Sequence, residues 1–412
     1  MKVLVLNCGS SSAKFQLIET SLQAIKDGTE KRLAKGVVEK IGEETSIKKI
    51  ACESKPSFKK EESVPNHSEA IQGILDLLAN PEHGIIRDKN EIDAVGHRVV
   101  HGGEAFTHSC KINDKVLAEI KECIPLAPLH NPHNIKGYEI AKELLGDTPH
   151  VAVFDTAFHQ TMPPSSFIYA LPYEYYEKKR IRRYGFHGTS HRYVARRVAK
   201  LFNISKESFN VITVHLGNGA SIAAVKKGKV VDTSMGFTPL EGLVMGTRCG
   251  DIDPAILMFL MQNNGIDVNA LNKILNKKSG LLGISGISND MRVLEDEAEK
   301  GDKKADLAID IFCYRIKKYI GSYTAAMGGV DYVAFTAGIG ENSCVVRERC
   351  CQGLEGIGAF YDKEKNNVMD GKEGVFSTDD SKVTLCIIPT NEEMVIAHDT
   401  VECVEGLLSC KE

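Results

Sequence analysis

The run Val211-Ile212-Thr213-Val214-His215-Leu216-Gly217-Asn218-Gly219-Ala220-Ser221-Ile222-Ala223-Ala224-Val225 decides how the rest of the chain is read. Its first six residues are rich in β-branched side chains and read as a strand, and Ser221 to Val225 reads as a second one. Gly217-Asn218-Gly219 breaks the run between them, and Val230 to Thr233 follows the turn Lys226-Lys227-Gly228-Lys229 as a third strand. The prediction is a meander with a glycine-lined first turn. Glycines let backbone N–H groups come close to a ligand, and such concave nests bind phosphate oxygens. An ordinary hairpin turn accounts for the same residues and is the better reading of this stretch alone.

The N-terminus changes the balance. Lys2 to Leu6 is an apolar strand, Asn7-Cys8-Gly9-Ser10-Ser11-Ser12 a small polar turn, and Lys14 to Ile18 a second strand. Two copies of one phosphate-type hairpin, about two hundred residues apart, predict a duplicated α/β protein of two domains with a nucleotide between the halves.

At 412 residues the chain is long enough for two cores, and its 42% hydrophobic and 26% charged content is that of an ordinary globular protein. A net charge of −4 gives nothing global to attract nucleic acid or an anionic membrane. Val3 to Leu6 is too short for a signal peptide and no run approaches a membrane span, so a cytoplasmic location is expected. Twelve cysteines without a C-x-x-C read as reduced thiols. His187 and His191 stand four apart, but the glycine between them and the lack of H-E-x-x-H argue against zinc.

Taken in order, Gly36 to Ile41 and Thr45 to Ala51 read as strands and Ser68 to Leu78 as a helix. Ile92 to Val95 is a short strand, with Arg98 expected just past its end before Gly102-Gly103, able to bind an anion or make a surface ion pair. Leu126 to Asn134 reads as extended and proline-fixed, with Asn134 capping a helix from Ile135 to Leu145. Val151 to Phe154 is a buried-type strand ending at Asp155, where α/β proteins place ligands, though a turn former or helix cap fits as well. Tyr184 to His191 is a glycine-hinged loop feeding a helix from His191 to Phe202. Met235 to Pro254 carries four glycines from Gly236 to Gly250 and reads as a long functional loop. Asp331 to Thr336 is a strand running into Ala337-Gly338-Ile339-Gly340-Glu341-Asn342-Ser343, a weak Rossmann match because Ser343 stands where a third glycine belongs. Thr390 or Asn391 is the expected cap of a last helix, Met394 to Val404.

Ten stretches, NCGSSSAKF, GHRVVHGGE, LAPLHNP, VFDTAFHQTMPP, YGFHGTSH, HLGNGAS, MGFTPLEG, MGTRCGDIDP, FTAGIGENS and PTNEE, together resemble the acetate kinases in that family's order and span essentially the whole chain. The resemblance implies a duplicated actin-like, ribonuclease H-like βββαβαβα fold with a nucleotide cleft. It implies lobes at residues 1–155 plus 391–412, the acyl-substrate, Mg²⁺ and phosphate side, and at 156–390, the nucleotide and dimerisation side. It implies that Asn7 and Glu392 help hold Mg²⁺ (or Mn²⁺), that Ser10, Ser12 and Lys14 lie near the β- and γ-phosphates, and that Arg98 binds the substrate carboxylate. Asp155 is the implied catalytic aspartate, His187 and Arg248 stabilise the transferring phosphoryl group, and His130 points at the same spot. His215, Leu216, Gly217, Asn218 and Gly219 form a second phosphate loop. Asp290, Met291, Arg292, Gly338, Ile339, Gly340, Glu341 and Asn342 line the adenosine end, where the modest size of Gly338 and Ile339 favours ATP. Val100, Leu129, Phe186 and Pro239 form the small acyl pocket. Ala13 and Cys249 depart from the family's usual residues without touching a proposed chemical group. A homodimer is implied.

The chemistry agrees with the residue types. A carboxylate substrate is ionised at neutral pH and needs no general base. It needs relief from repulsion by the γ-phosphate, which arginines, a histidine and Mg²⁺ supply. The expected function is therefore reversible, direct in-line transfer of the ATP γ-phosphate to acetate, giving acetyl phosphate and ADP. Propionate kinase is the near alternative. A nucleotide-gated interaction protein of the heat-shock ATPase or actin kind is the alternative of another class, and it has no use for Arg98, His187 and Arg248 together.

Overall fold

The computed structural model describes residues 1–408. They form two compact units, one of Met1–Phe158 with the segment that begins at Asn391, the other of His159–Thr390. Of the expected returning segment 391–412, residues 409–412 lie outside the described residues.

The first unit is built on β1 (Lys2–Cys8), β2 (Ser12–Glu19), β3 (Lys31–Glu39), β4 (Ser46–Cys52), β5 (Lys55–Glu62), β6 (Ala94–Val99), β7 (Cys110–Lys111) and β8 (His150–Phe154), in the order β5-β4-β3-β2-β1-β6-β8-β7. β1, β2 and β3 are an antiparallel meander, and β6 and β8 continue the sheet parallel to β1. β1 is central because both its faces are apolar. Leu4 and Leu6 share a core with Ile71, Ile74 and Leu78 of helix His67–Leu78, whereas Val3 and Val5 share another with Ile396, Ala397 and Val401 of the last helix, Glu392–Val404. The period of two along a strand makes that division. The last helix comes so close to β6 that a Cβ on Gly96 would lie 2.5 Å from Thr400 Oγ1.

The second unit repeats the plan. β9 (Asn210–Leu216), β10 (Ala220–Lys226), β11 (Lys229–Thr233), β12 (Tyr332–Thr336), β13 (Gly374–Val375) and β14 (Thr384–Ile387) run in the order β11-β10-β9-β12-β14-β13. The meander again comes first and two strands parallel to β9 follow. β1 and β9, β2 and β10, β3 and β11, β6 and β12, and β8 and β14 are thus equivalents, and the hairpin echo is a true duplication of an actin-like α/β unit. The helix that follows β14, Glu392–Val404, belongs to the first unit, whereas Gly188–Leu201, the long helix after β8, belongs to the second.

Local expectations fail where tertiary contacts override local signals. Arg98 lies inside β6, not past its end, because the strand continues to Val99 beside β8. The helix after LAPLHNP starts at Asn131, not after Asn134, since Pro132 is tolerated in a first turn that needs no N–H from it. Asn134 is therefore no cap. Its Oδ1 accepts from the Val100 N–H at 3.0 Å and its Nδ2 donates to the Cys8 carbonyl at 2.9 Å, tying β1 to the end of β6. Leu126 to His130 is not extended either, because Ile124–Leu126 forms a 3₁₀ turn. Helix Gly188–Leu201 begins three residues earlier than expected, with His187 left-handed at its cap (φ 56°). Ala337–Asn342 is a short helix despite its glycines, entered through a left-handed Ala337 (φ 63°) whose N–H donates to Glu341 Oε1 at 2.7 Å.

Candidate active-site residues

In the first unit, the expected residues gather at the carboxyl ends of β1, β6 and β8. Asp155 follows β8 and is fastened by its N–H to the Val99 carbonyl at 3.0 Å. Arg98 meets it with two prongs, Nη2 to Oδ2 at 2.5 Å and Nε to Oδ1 at 3.1 Å. Arg98 Nη1 lies 3.5 Å from Asn7 Oδ1 on β1, and Nε 4.0 Å from Glu392 Oε2 at the start of the last helix. Burial opposes the Arg98 charge, but Asp155, Glu392 and Glu393 outweigh it and hold the guanidinium above its ordinary pKa. Asp155 is 1% exposed. Burial, helped by Glu392, pushes its carboxyl above the ordinary value, although Arg98 and then His130 pull the other way. Asn7, Arg98, His130, Asp155 and Glu392 are therefore one electrostatic cluster.

The loop after β6 is held from helix Asn131–Leu145. Asn131 accepts from the His101 N–H at 3.1 Å and returns a hydrogen bond to the His101 carbonyl at 2.9 Å. Ser10 stands exposed in the β1–β2 turn, which Gly9 N–H closes onto the Ser12 carbonyl at 2.8 Å, and Lys14 is the exposed partner of Asn7 across the hairpin. Val100 is buried, whereas Leu129 is 63% exposed and so presented to solvent, not packed.

In the second unit the β9–β10 turn is closed by the Gly217 N–H to the Gly219 carbonyl at 3.1 Å. A Cβ on Gly219 would lie 3.1 Å from Arg248 Nη2 and 3.5 Å from His187 Cε1, so both side chains stand over this glycine. The ring of His187 stacks on His215 with centroids 4.3 Å apart. The left-handed cap of His187 aims it there, and a buried relay holds it. Ser221 Oγ meets His187 Nδ1 at 3.0 Å and His191 Nε2 at 2.7 Å, and His191 Nδ1 meets Thr213 Oγ1 at 2.7 Å. Ser190 Oγ lies 2.7 Å from His215 Nδ1. Arg248 donates to the Pro239 carbonyl at 2.7 Å and has no ion pair among the described residues. Burial lowers its pKa and no carboxylate offsets the effect. Gly246 N–H donates to the Asn218 carbonyl at 3.0 Å, so the loop bearing Arg248 is docked on the glycine turn.

The remaining candidates divide. Gly338 is exposed, and a Cβ there would meet nothing within 4 Å. Ile339 is half-buried and Gly340 buried in the same short helix. Asp290 caps helix Met291–Glu299 and pairs with Arg292 at 2.6 Å, with Arg292 87% exposed. Met291 is 3% exposed, so its side chain belongs to the core and not to a ligand surface. Glu341 spends Oε1 on the N–H groups of Ala337 and Thr390, at 2.7 and 3.0 Å, which makes it a fastener. Asn342 donates to the Gly338 carbonyl at 2.8 Å. Phe186 is buried and Pro239 half-buried.

Sequence reasoning missed Asn131, Ser221, Ser190 and Arg183. Only alternation along β10 could have hinted at Ser221. Among the described residues no group of three or more His, Cys, Asp or Glu is arranged as a metal cage. Asn7 Oδ1 and Glu392 Oε2 lie 3.5 and 4.0 Å from Arg98 nitrogens, one amide and one carboxylate oxygen of the donor type that Mg²⁺ takes together with waters and substrate phosphates.

A duplicated actin-like fold with glycine-turn hairpins and the half-buried Arg98 and Arg248 is the setting of a phosphotransferase, and the family match establishes that class. The chain belongs to the acetokinase family, whose profile matches residues 2–398. It is 57% identical over 409 residues to an acetate kinase of Thermoanaerobacterium thermosaccharolyticum, covering 99% of this chain and 100% of that one. It is 56% identical over 408 residues to an acetate kinase of Thermoanaerobacter pseudethanolicus, with the same coverage. Its fold matches the crystal structure of Porphyromonas gingivalis acetate kinase with a TM-score of 0.92 at 49% identity, over 98% of this chain and 99% of that one. A propionate kinase from Francisella tularensis matches with a TM-score of 0.89 at 43% identity, over 97% and 98%. Among the described residues no helix is long and apolar enough to cross a membrane.

Proposed function

We propose that this chain transfers the γ-phosphate of ATP to acetate, reversibly and with Mg²⁺, giving acetyl phosphate and ADP. The observation that carries the reading is Arg248, a half-buried guanidinium with no ion pair among the described residues, standing with His187 over the Gly217–Gly219 turn. A partly desolvated cation left without a counter-charge is complementary to an anion that arrives with the substrate. Here that anion is the transferring phosphoryl group, with the turn's N–H groups and His215 on the phosphates.

In the first unit Arg98 orients the acetate carboxylate. Asn7 and Glu392 would hold Mg²⁺, which would neutralise phosphate charge. Asp155 fixes the Arg98 guanidinium by its two-pronged contact and takes no proton from acetate, which is already ionised. His130, Ser10, Ser12 and Lys14 border the phosphates. Val100 in the first unit borders the acyl group, and Phe186 and Pro239 are the second unit's candidates for the same role. Gly338 leaves the open space that an adenosine would fill, and Ile339, Gly340, Asn342, Asp290 and Arg292 border it.

Acetate is taken as the preferred substrate on the strength of relatives named acetate kinase at 55–57% identity over nearly the whole chain. The chain works as a homodimer: helix Ala255–Asn264 buries none of its ten residues, although Ile256, Met258, Phe259 and Met261 are large and apolar. A second copy is the occupant that removes such a face from water.

The test is hydroxylamine trapping. With ATP, Mg²⁺ and acetate, ADP and acetyl hydroxamate should appear in equal amounts, and propionate should react more slowly. ADP release that ignores acetate, or that leaves no hydroxamate, contradicts the reading.

A further inference from the structure

From Ser234 to Pro254 the second unit has neither helix nor strand, yet this segment carries Arg248 and the Pro239 carbonyl that receives its Nη1. A loop without ladder hydrogen bonds needs other fasteners if it is to hold a guanidinium in place. Arg183 supplies one. Its Nη1 donates to the carbonyls of Thr233 and Ser234, at 2.7 and 3.2 Å, at the root of the loop, and its Nη2 donates to Glu241 Oε1 at 2.7 Å. The other oxygen of Glu241 accepts from the Tyr169 hydroxyl, and that hydroxyl accepts from the Phe237 N–H at 2.9 Å. Pro239 is thus bracketed two residues before and two residues after. The closure is tight: a Cβ on Gly236 would lie 1.7 Å from Glu241 Oε2. Beyond Glu241, Asp251 pins the loop's far end, Oδ1 accepting from the Gly242 N–H at 2.8 Å and Oδ2 from the Tyr319 hydroxyl at 2.8 Å.

We infer that Arg183, Glu241 and Tyr169 are positioning residues for phosphoryl transfer, acting through the Pro239 carbonyl to set the direction of the Arg248 guanidinium. The inference rests on the proposed role of Arg248. A guanidinium misplaced by about 1 Å can cost about 10²-fold in rate, and an interaction made in the transition state shows in kcat more than in KM.

The test is a set of variants of the full chain in the acetyl hydroxamate assay. Glu241→Ala should lower kcat about 10- to 100-fold with the KM for ATP and acetate changed less than about 3-fold. Glu241→Gln, which keeps an acceptor for Arg183, should recover most of that loss. Tyr169→Phe, which removes one hydroxyl, should give a smaller fall in kcat, and it carries the test if Glu241→Ala does not fold. Groups that act through one atom are not additive. So Glu241→Ala added to Arg248→Ala should slow the reaction no more than about 2-fold further. Losses that multiply, or a raised KM at unchanged kcat, overturn the inference. If Arg248→Ala alone keeps full activity, the proposed role of Arg248 fails instead, whatever the Glu241 variants do.

Discussion

Arg248→Ala should separate activity from stability, and the structure says by how much. The side chain contributes one hydrogen bond, to the Pro239 carbonyl at 2.7 Å, and no ion pair among the described residues. Its loss costs about 1 kcal/mol, and relief of a half-buried charge works the other way. The melting temperature should therefore stay within about 3 °C of the parent. The rate should not: removing a donor aimed at transition-state charge costs about 10²–10³-fold in kcat, or about 3–4 kcal/mol. Arg98→Ala is the contrast. It takes both prongs from Asp155, which is 1% exposed, and breaking a buried pair costs about 3–5 kcal/mol. The lower end is expected, since the carboxyl can take up a proton, and this corresponds to a fall of roughly 10 °C. Arg98→Ala should also raise the acetate KM. Thermal melting by circular dichroism and steady-state kinetics on both variants give the answer. If Arg248→Ala melts as early as Arg98→Ala, or keeps more than about a tenth of kcat, the assignment of an unpaired cation to the phosphoryl group is wrong.

Val100 is 6% exposed, and Val100→Ala should narrow the acetate-to-propionate ratio of kcat/KM, because one methylene is worth about 1–3 kcal/mol; an unchanged ratio removes it from the acyl pocket. Asp155→Asn should lower activity strongly even at saturating Mg²⁺, since it loses a charged partner of Arg98; near-normal rates contradict both an orienting and a proton-accepting role. Acid should destabilise the fold. Burial lowers His150 and His159 from 6.5 to about 4, and lowers His97 and His191 well below 6.5. The unfolded chain then binds protons that the folded chain refuses. Stability is complete above pH 6.5 and is lost as pH falls toward 4, by an upper limit on the order of 3 kcal/mol each for His150 and His159. NMR titration of the folded protein should find the imidazoles of His150 and His159 uncharged at about pH 5.5, between the folded and unfolded values; protonated rings there contradict this.

The sheets were legible because β1 is apolar on both faces, β9 is rich in β-branched residues, and both end in small polar turns, a local pattern that needs no distant partner. The gathering of Asn7, Arg98, Asp155 and Glu392 followed from topology, since carboxyl ends of parallel neighbours converge. Asn134 was misread because Pro132 looked like a stop and is in fact a helix start. Ala337 takes a left-handed conformation that alanine rarely adopts, so no propensity announces it, and His187, of a type enriched there, gives only a weak hint. Arg183 and Glu241 are 58 residues apart, and nothing local couples them.

The central claim is that phosphorus passes directly between two anions, with the protein supplying cations and no nucleophile. Asp155, the buried carboxylate of the Arg98 cluster, has both oxygens engaged by Arg98. The most direct test is stereochemical, using ATP made chiral at the γ-phosphate with oxygen isotopes and reading the configuration of the acetyl phosphate formed. Inversion is the predicted result; retention would mean two successive displacements through a phosphorylated residue and would contradict the account.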